Sequence, residues 1–322
     1  PGSGKTKTLT HRIAYLLEQG ILPEHILAVT FTNKAAEEMK QRIRMLVSGI
    51  PIGAGAIFIG TFHAFTLQIL RAHAPKIGYF KNFTIFDSDD SLSLIKEIMK
   101  EVEVNPKQFS AHMIARVISS LKNELVTPDQ YAEHTGLQDL LPKIVHKIYD
   151  RYHTRLHEVN AMDFDDLLMQ AEKLLAAYPH VLASYQDRFR YIHVDEWQDT
   201  NHAQYSIIKK LAEKHGNIAV VGDDAQAIYS FRGADFRNIM NFEKDWVDAK
   251  LIILDQNYRS TQPILDAARE LIGHNANQKE KKLWTEQKGG EAIVVTVAPD
   301  EHTEADSVGN KIEEFLKKGY TR

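Results

Sequence analysis

No cysteine occurs anywhere in the 322 residues. Disulfides, thiolate zinc sites and cysteine nucleophiles are therefore excluded together, and the absence suits a reducing compartment, so a cytoplasmic location is expected. An excess of positive charge is also missing. Lys and Arg number 39 against 43 Asp and Glu, a formal net charge of -4. The chain is not a globally basic coat for nucleic acid, and a nucleic-acid site would have to rest on a local groove. Long apolar runs are absent too. The most apolar stretch, residues 50–62, is interrupted by Gly53, Gly55 and Gly60, and it falls short of the roughly 20 residues a membrane helix needs. What is present is ordinary for a globular protein, with 43% hydrophobic and 25% charged residues. That is enough apolar material for real cores and enough length for two or three domains.

Hydrophobic spacing divides the chain. Leu9, Ile13, Leu16 and Leu17 share one helical face directly after Pro1-Gly2-Ser3-Gly4-Lys5-Thr6. Ile26-Leu27-Ala28-Val29 predicts a buried strand. Thr32 predicts an N-cap for a helix carrying Ala36, Met39 and Ile43, and Ala56-Ile57-Phe58-Ile59 predicts another strand. This alternation points to a parallel α/β sheet. From about His63 to Arg188 the strand signals stop, and Asp87-Ser88-Asp89-Asp90 looks like a helix start, so an all-helical insertion is expected. Strands are expected again at Phe189 to Val194, Ile218 to Val221 and Leu251 to Leu254. A helix near Ile264 to Leu271, a strand at Ala292 to Val297 and a last helix ending near Lys318 follow.

Gly2-Ser3-Gly4-Lys5-Thr6 matches the second half of G-x-x-x-x-G-K-[ST]. Glycines let successive backbone N–H groups turn inward on a polyphosphate, and the helix behind adds its dipole. Lys5 would reach the β- and γ-phosphates of ATP and Thr6 would ligate Mg²⁺. A glycine turn that merely precedes Lys-Thr is the plainer alternative. Such a loop requires an acidic partner, and Val194-Asp195-Glu196 ends an apolar strand where one belongs. Asp195 would contact Mg²⁺ through water and Glu196 would act as general base; a solvent-facing acidic strand end is the alternative.

Val194-Asp195-Glu196-Trp197-Gln198-Asp199-Thr200-Asn201 resembles the Walker B segment of UvrD/Rep/PcrA-type superfamily 1 helicases. Further segments match in order. Thr30-Phe31-Thr32-Asn33-Lys34-Ala35-Ala36-Glu37-Glu38-Met39 resembles motif Ia, and Gly60-Thr61-Phe62-His63 resembles motif Ib. Val221-Gly222-Asp223-Asp224-Ala225-Gln226-Ala227-Ile228-Tyr229-Ser230-Phe231-Arg232-Gly233-Ala234 is similar to motif III, and Gln256-Asn257-Tyr258-Arg259-Ser260 to motif IV. Met162-Asp163-Phe164-Asp165-Asp166-Leu167-Leu168 resembles a segment of the family's helical insertion.

The resemblance implies two RecA-like motor domains that use ATP and Mg²⁺ to move 3′ to 5′ on single-stranded DNA and separate duplex junctions. It implies that Gln226 senses the γ-phosphate, that Tyr258 stacks on adenine and that Arg259 reaches the γ-phosphate as an arginine finger. It implies DNA contacts at Phe31, Asn33, Thr61, His63, Tyr229, Phe231 and Arg232, where aromatic faces hold bases without reading them. Phe231 stands where the family usually has tryptophan, so a weaker grip is expected there.

The expected organisation is a RecA-like P-loop motor domain in two parts, 1–63 and 189–255, around a helical insertion at 64–188, with the start of a second RecA-like domain at 256–322. The family's adenine-reading glutamine motif and its motifs V and VI are not found, so a fragment, poorly active alone, is expected. A small-molecule P-loop kinase and a DNA-binding remnant without motor activity are the alternatives from other classes. Repair and replication roles are both compatible, and partner proteins are not identifiable. His153 and His157 beside Glu158 have a zinc-like spacing but lack a third ligand, and a solvated helix face is expected instead. Asp163, Asp165 and Asp166 are expected to start and cap a helix, and Lys279-Glu280-Lys281-Lys282 to form an exposed face.

Overall fold

The computed structural model describes residues 1–47, 57–229, 233–235, 237–275 and 281–321. Two compact units divide them, the first from Pro1 to Leu254 and the second from Asp255 onward. Among the described residues no helix is long and apolar enough to cross a membrane. Phe231, Arg232, Ala56, Lys279 and Glu280 lie outside the described residues.

The first unit opens with α1 (Lys5–Glu18), β1 (Ile26–Thr30), α2 (Asn33–Leu46), β2 (Phe58–Thr61) and α3 (Phe62–His73). Then come β3 (Thr84–Phe86), α4 (Ser88–Glu101), α5 (Ala111–Asn123), α6 (Pro128–Thr135), α7 (Leu140–Glu158) and β4 (Ala161–Asp163). After α8 (Phe164–Ala177) and α9 (Pro179–Arg188) the chain returns to β5 (Tyr191–Val194), α10 (His202–Ala212) and β6 (Ile218–Val220). Two single-turn helices, α11 (Arg237–Met240) and α12 (Phe242–Asp245), follow.

The main sheet runs β2-β1-β5-β6, and every pair is parallel. All five residues of β1 are buried, as a parallel strand covered on both faces requires. Alternate side chains enter different cores. Leu27 and Val29 pack with α3, α8, α9 and α10, whereas Ile26 and Ala28 pack with Leu9 and Ile13 of α1 and Met39 and Ile43 of α2. Parallel neighbours need crossover connections. Here β1 reaches β2 through α2, and β5 reaches β6 through α10. Strand order reverses beside β1, because β2 lies on one side and β5 on the other. In open α/β sheets such a reversal opens a crevice at the carboxyl ends of the strands.

Between Thr61 and Tyr191 the chain is mostly helical and carries its own core, built from Ile95 and Ile98 of α4, Ile114 and Ile118 of α5, and Val145, Ile148, Tyr149 and Tyr152 of α7. It is not purely helical, contrary to expectation. β3 and β4 form a parallel pair, with Thr84 opposite Ala161 and Phe86 opposite Asp163. Three residues per strand are too few to leave a period-2 pattern in sequence.

Helix starts follow their local chemistry. Thr32 accepts from the Ala35 N–H at 3.1 Å, as its position predicts. Asp87 with Asp90, Asp163 with Asp166, and Asn201 with Gln204 each close a reciprocal capping box. Asn201 is buried and also donates to the Asn123 side-chain oxygen. Asn201→Ala is therefore expected to cost about 1–2 kcal/mol, since it removes a cap and strands a buried acceptor; urea unfolding checks this.

In the second unit α13 (Gln262–Ile272) and α14 (Glu301–Lys317) are the expected helices. Two expected strands, one at the end of the first unit and one in the second, are corrected. Residues 251–254 and 292–297 form no ladder among the described residues, and Ile252, Val294, Val295 and Val297 are mostly exposed. An apolar β-branched run favours extended backbone, but a strand exists only where a neighbour takes up its N–H and C=O groups.

Candidate nucleotide site and DNA-facing edge

Gly2 and Gly4 both have left-handed backbone, with φ of 81° and 84°. Gly4 is the N-cap of α1 and offers no side-chain cap, and no acidic residue occupies the first turn. The turn's free N–H groups and the Lys5 and Lys7 charges therefore favour an anion. Thr6 faces inward, and its hydroxyl donates to Asp195 Oδ2 at 2.9 Å across 189 residues of chain. That bond ties the loop to the carboxyl end of β5.

The β5 end is held on both sides. The Asp195 N–H donates to the Val29 carbonyl, and the Trp197 N–H donates to the Val221 carbonyl. Between them Glu196 takes a left-handed φ of 52°. A non-glycine residue there carries strain of about 1–3 kcal/mol, here maintained by its anchored neighbours. Asp195 is buried, and its carboxyl is shifted upward by burial and then by the Glu196 charge, against opposing bonds from Thr6 and the Glu196 N–H. Trp197 is fully buried and donates to the Asn238 carbonyl at 3.0 Å.

The end of β6 supplies the third wall. Gln226 Nε2 donates to Asp223 Oδ2 at 2.6 Å, and Lys5 Nζ lies 3.9 Å from the same oxygen. Gln198 is buried between these groups. Its Nε2 donates to Glu196 Oε2 at 2.9 Å and to Asp199 Oδ2 at 3.2 Å, while its Oε1 accepts from the Asp223 N–H at 3.0 Å. Asp199 is pushed up to about 6 by burial and by Glu196.

Lys5, Thr6, Asp195, Glu196 and Gln226 thus meet at one edge of the sheet. Asp223 and Gln198 join them although neither was singled out as a site residue. Asp223 stood in plain view, since it follows β6 as Asp195 follows β5; Gln198 left no such signal.

Of the predicted DNA contacts, Phe31 and Asn33 follow β1 and Thr61 and His63 lie at the end of β2, on the other half of the same edge, whereas Tyr229 follows β6. Phe31 is half-buried, with its ring edge-on to Phe62 at 5.8 Å. Asn33 is the exposed first residue of α2. The Thr61 hydroxyl accepts from the Ala64 N–H at 3.2 Å and so caps α3. His63 meets Phe164 edge-on at 5.7 Å, and burial lowers its pKa. Phe164, half exposed at 52%, is an aromatic neighbour that pattern alone did not mark. Tyr229 is exposed at 38%. In the second unit Tyr258 and Arg259 are exposed on a turn in which Asn257 Oδ1 accepts from the Arg259 and Ser260 N–H groups. His157 packs on Tyr79 at 4.8 Å.

A phosphate loop, an acid pair at a neighbouring strand end and a parallel sheet define a RecA-like P-loop motor fold. Within that class the chain belongs to the UvrD/REP helicase family. Residues 1–247 match the family's N-terminal domain and residues 252–322 match the UvrD-like helicase C-terminal domain. Over 319 residues the chain is 47% identical to the ATP-dependent DNA helicase PcrA of Bacillus subtilis (strain 168), covering 99% of this chain and 42% of that protein. It is 48% identical over 320 residues to the PcrA helicase of Staphylococcus aureus (strain Mu50 / ATCC 700699), covering 99% and 43%. The chain therefore spans less than half the length of these curated relatives.

Proposed function

We propose that this chain is the front of an ATP-driven 3′ to 5′ translocase that separates duplex DNA from a single-stranded tract. The observation that supports this most is the Thr6–Asp195 bond at 2.9 Å, with Lys5, Asp223 and Gln226 beside it. A hydroxyl and a carboxylate are hard oxygen donors that suit Mg²⁺. Thr6 and Asp195 would hold the ion, which when bound neutralises phosphate charge. The loop N–H groups and Lys5 bind the β- and γ-phosphates. Glu196 takes a proton from the attacking water at a carboxylate oxygen, and Gln226 senses the γ-phosphate.

Phe31, Asn33, Thr61, His63 and Tyr229, with Phe231 and Arg232, form the DNA track in this reading. Stacking and phosphate contacts there hold strand without reading sequence. Tyr258 and Arg259 serve adenine and the γ-phosphate from a second motor domain begun at 256–322. The first domain comprises 1–63 and 189–255 around the insertion at 64–188, and the protein acts in the cytoplasm in repair or replication.

The test is ATP hydrolysis and strand displacement by the full-length protein that carries this chain. Single-stranded DNA is expected to stimulate hydrolysis, and a 3′-tailed duplex is expected to open faster than a 5′-tailed one. Hydrolysis indifferent to DNA would remove the motor assignment; preference for the 5′ tail would reverse the polarity.

A further inference from the structure

Gln198 is a buried side chain of the crevice whose polar atoms engage the carboxyl ends of two strands. Its amide hydrogens go to Glu196 Oε2 at 2.9 Å and Asp199 Oδ2 at 3.2 Å. Its oxygen takes the Asp223 N–H at 3.0 Å. The orientation is unambiguous. A flipped amide would set its oxygen against two carboxylates and its NH₂ against a backbone donor.

The consequences lie on the residues it touches. Glu196 has a left-handed φ of 52°, so its side chain is aimed by a backbone that L residues rarely adopt. A glutamate side chain on such a turn has several rotamers, and the Gln198 donor selects one. Asp199 is a second carboxylate close by, and the shared NH₂ lies between the two negative groups. On the other side, Asp223 carries the Gln226 side chain at 2.6 Å. One carboxamide therefore links the end of β5 to the end of β6.

The neighbouring glycine fits this arrangement. A Cβ on Gly222 would lie 2.9 Å from Gln198 Oε1, 2.8 Å from Ile239 Cδ1 and 3.4 Å from the Gln198 N. Gly222 has no left-handed φ to account for it. Its lack of a side chain is what leaves room for the carboxamide against the strand end.

We infer that Gln198 is a positioning residue for hydrolysis. It fixes the Glu196 carboxylate toward the attacking water and sets that orientation in register with the Asp223–Gln226 pair. This rests on the proposed hydrolysis of ATP at the loop. The polar atoms of Gln198 are taken up by protein groups, so its loss should act on turnover and spare binding. Displacing a reacting group by about 1 Å costs on the order of 10²-fold.

The experiment uses the full-length protein with saturating single-stranded DNA. In Gln198→Met, kcat for ATP is expected to fall about 10–100-fold, with KM within about twofold and the affinity for a non-hydrolysable ATP analogue unchanged. Should that variant fail to fold, Gly222→Ala in an Ile239→Val background is the deciding measurement. Removing the Ile239 δ-methyl leaves the carboxamide as the main obstacle, and the same fall in kcat at constant KM is expected. A kcat within twofold of the unaltered protein in a folded variant overturns the inference while leaving the hydrolysis reading intact. A raised KM at unchanged kcat also overturns it, because it would make Gln198 part of nucleotide binding. An unaltered protein that hydrolyses no ATP removes both.

Discussion

In the full-length protein, Glu196→Gln is expected to lower kcat for ATP hydrolysis by about 10²–10⁴-fold, the usual worth of a general base. The substitution is close to isosteric. A glutamine oxygen at this place can still accept from Gln198 Nε2, which lies 2.9 Å from the present carboxylate. What disappears is the group that takes the proton, so KM for ATP should change little. Lys5→Ala is expected to differ in kind. Lys5 is the loop cation, its side chain only 12% exposed, and it lies 3.9 Å from Asp223. Without it the site holds the Asp195, Glu196 and Asp223 carboxylates with no neighbouring side-chain cation from the loop to face a polyphosphate. Both nucleotide affinity and turnover should then collapse, and strand separation should stop in either variant. Steady-state kinetics with a strand-displacement assay separate the two effects. Unwinding that survives Glu196→Gln at more than a tenth of the original rate would sink the assignment of the base.

How far this site could be read in advance depends on chain distance. Ile26 to Val29 announced its strand because a parallel strand buried on both faces is apolar without interruption. Lys5-Thr6 and Asp195-Glu196 announced themselves because loop and strand-end chemistry is local. The Thr6–Asp195 contact spans 189 positions, so it was an inference from roles until the fold placed both residues. Gln198 was only a letter in a motif, since its three partners come from two strand ends. The failures have the same origin. β3 and β4 are three residues each and exist by pairing with one another. Residues 251–254 and 292–297 have the composition of strands and lack described neighbours to pair with. Propensity is a property of the segment, and a ladder is a property of two.

Lys122 shows the same limit with a larger energetic stake, because nothing near it in sequence hints at its burial. It ends a helix of the insertion, is fully buried, and lies 2.7 Å from Asp163 and 2.8 Å from Asp166. The Tyr152 hydroxyl also donates to Asp163 at 2.9 Å. Lys122→Met keeps most of the volume and removes the charge. The buried Asp163 carboxylate then lacks its cation, Asp166 is driven further toward its protonated form, and the loss is expected to be about 3–5 kcal/mol. The triple variant Lys122→Met, Asp163→Asn, Asp166→Asn should recover much of that loss, since a neutral cluster carries no such penalty. A single variant that unfolds in urea like the unaltered chain would refute the argument.

The pH dependence gives a second handle on the same cluster. Burial alone would raise the Asp163 carboxyl, but the Lys122 charge and hydrogen bond, with the Asp166 N–H and Tyr152, outweigh it and hold it below the ordinary 3.8. Asp166 goes the other way, pushed up to about 7 by burial and then by the Asp163 charge. A carboxyl raised in the folded state contributes stability that is fully present below the unfolded value and lost as pH rises through the folded one. Asp166 should therefore make the protein less stable as pH climbs from about 4 to above 7. Asp163 contributes above 3.8 and loses its contribution only in stronger acid. Asp166→Asn removes the first effect and retains an acceptor for Lys122. Urea midpoints across this range should then fall less steeply in Asp166→Asn than in the unaltered chain, and equal slopes would show that Asp166 is ionised throughout.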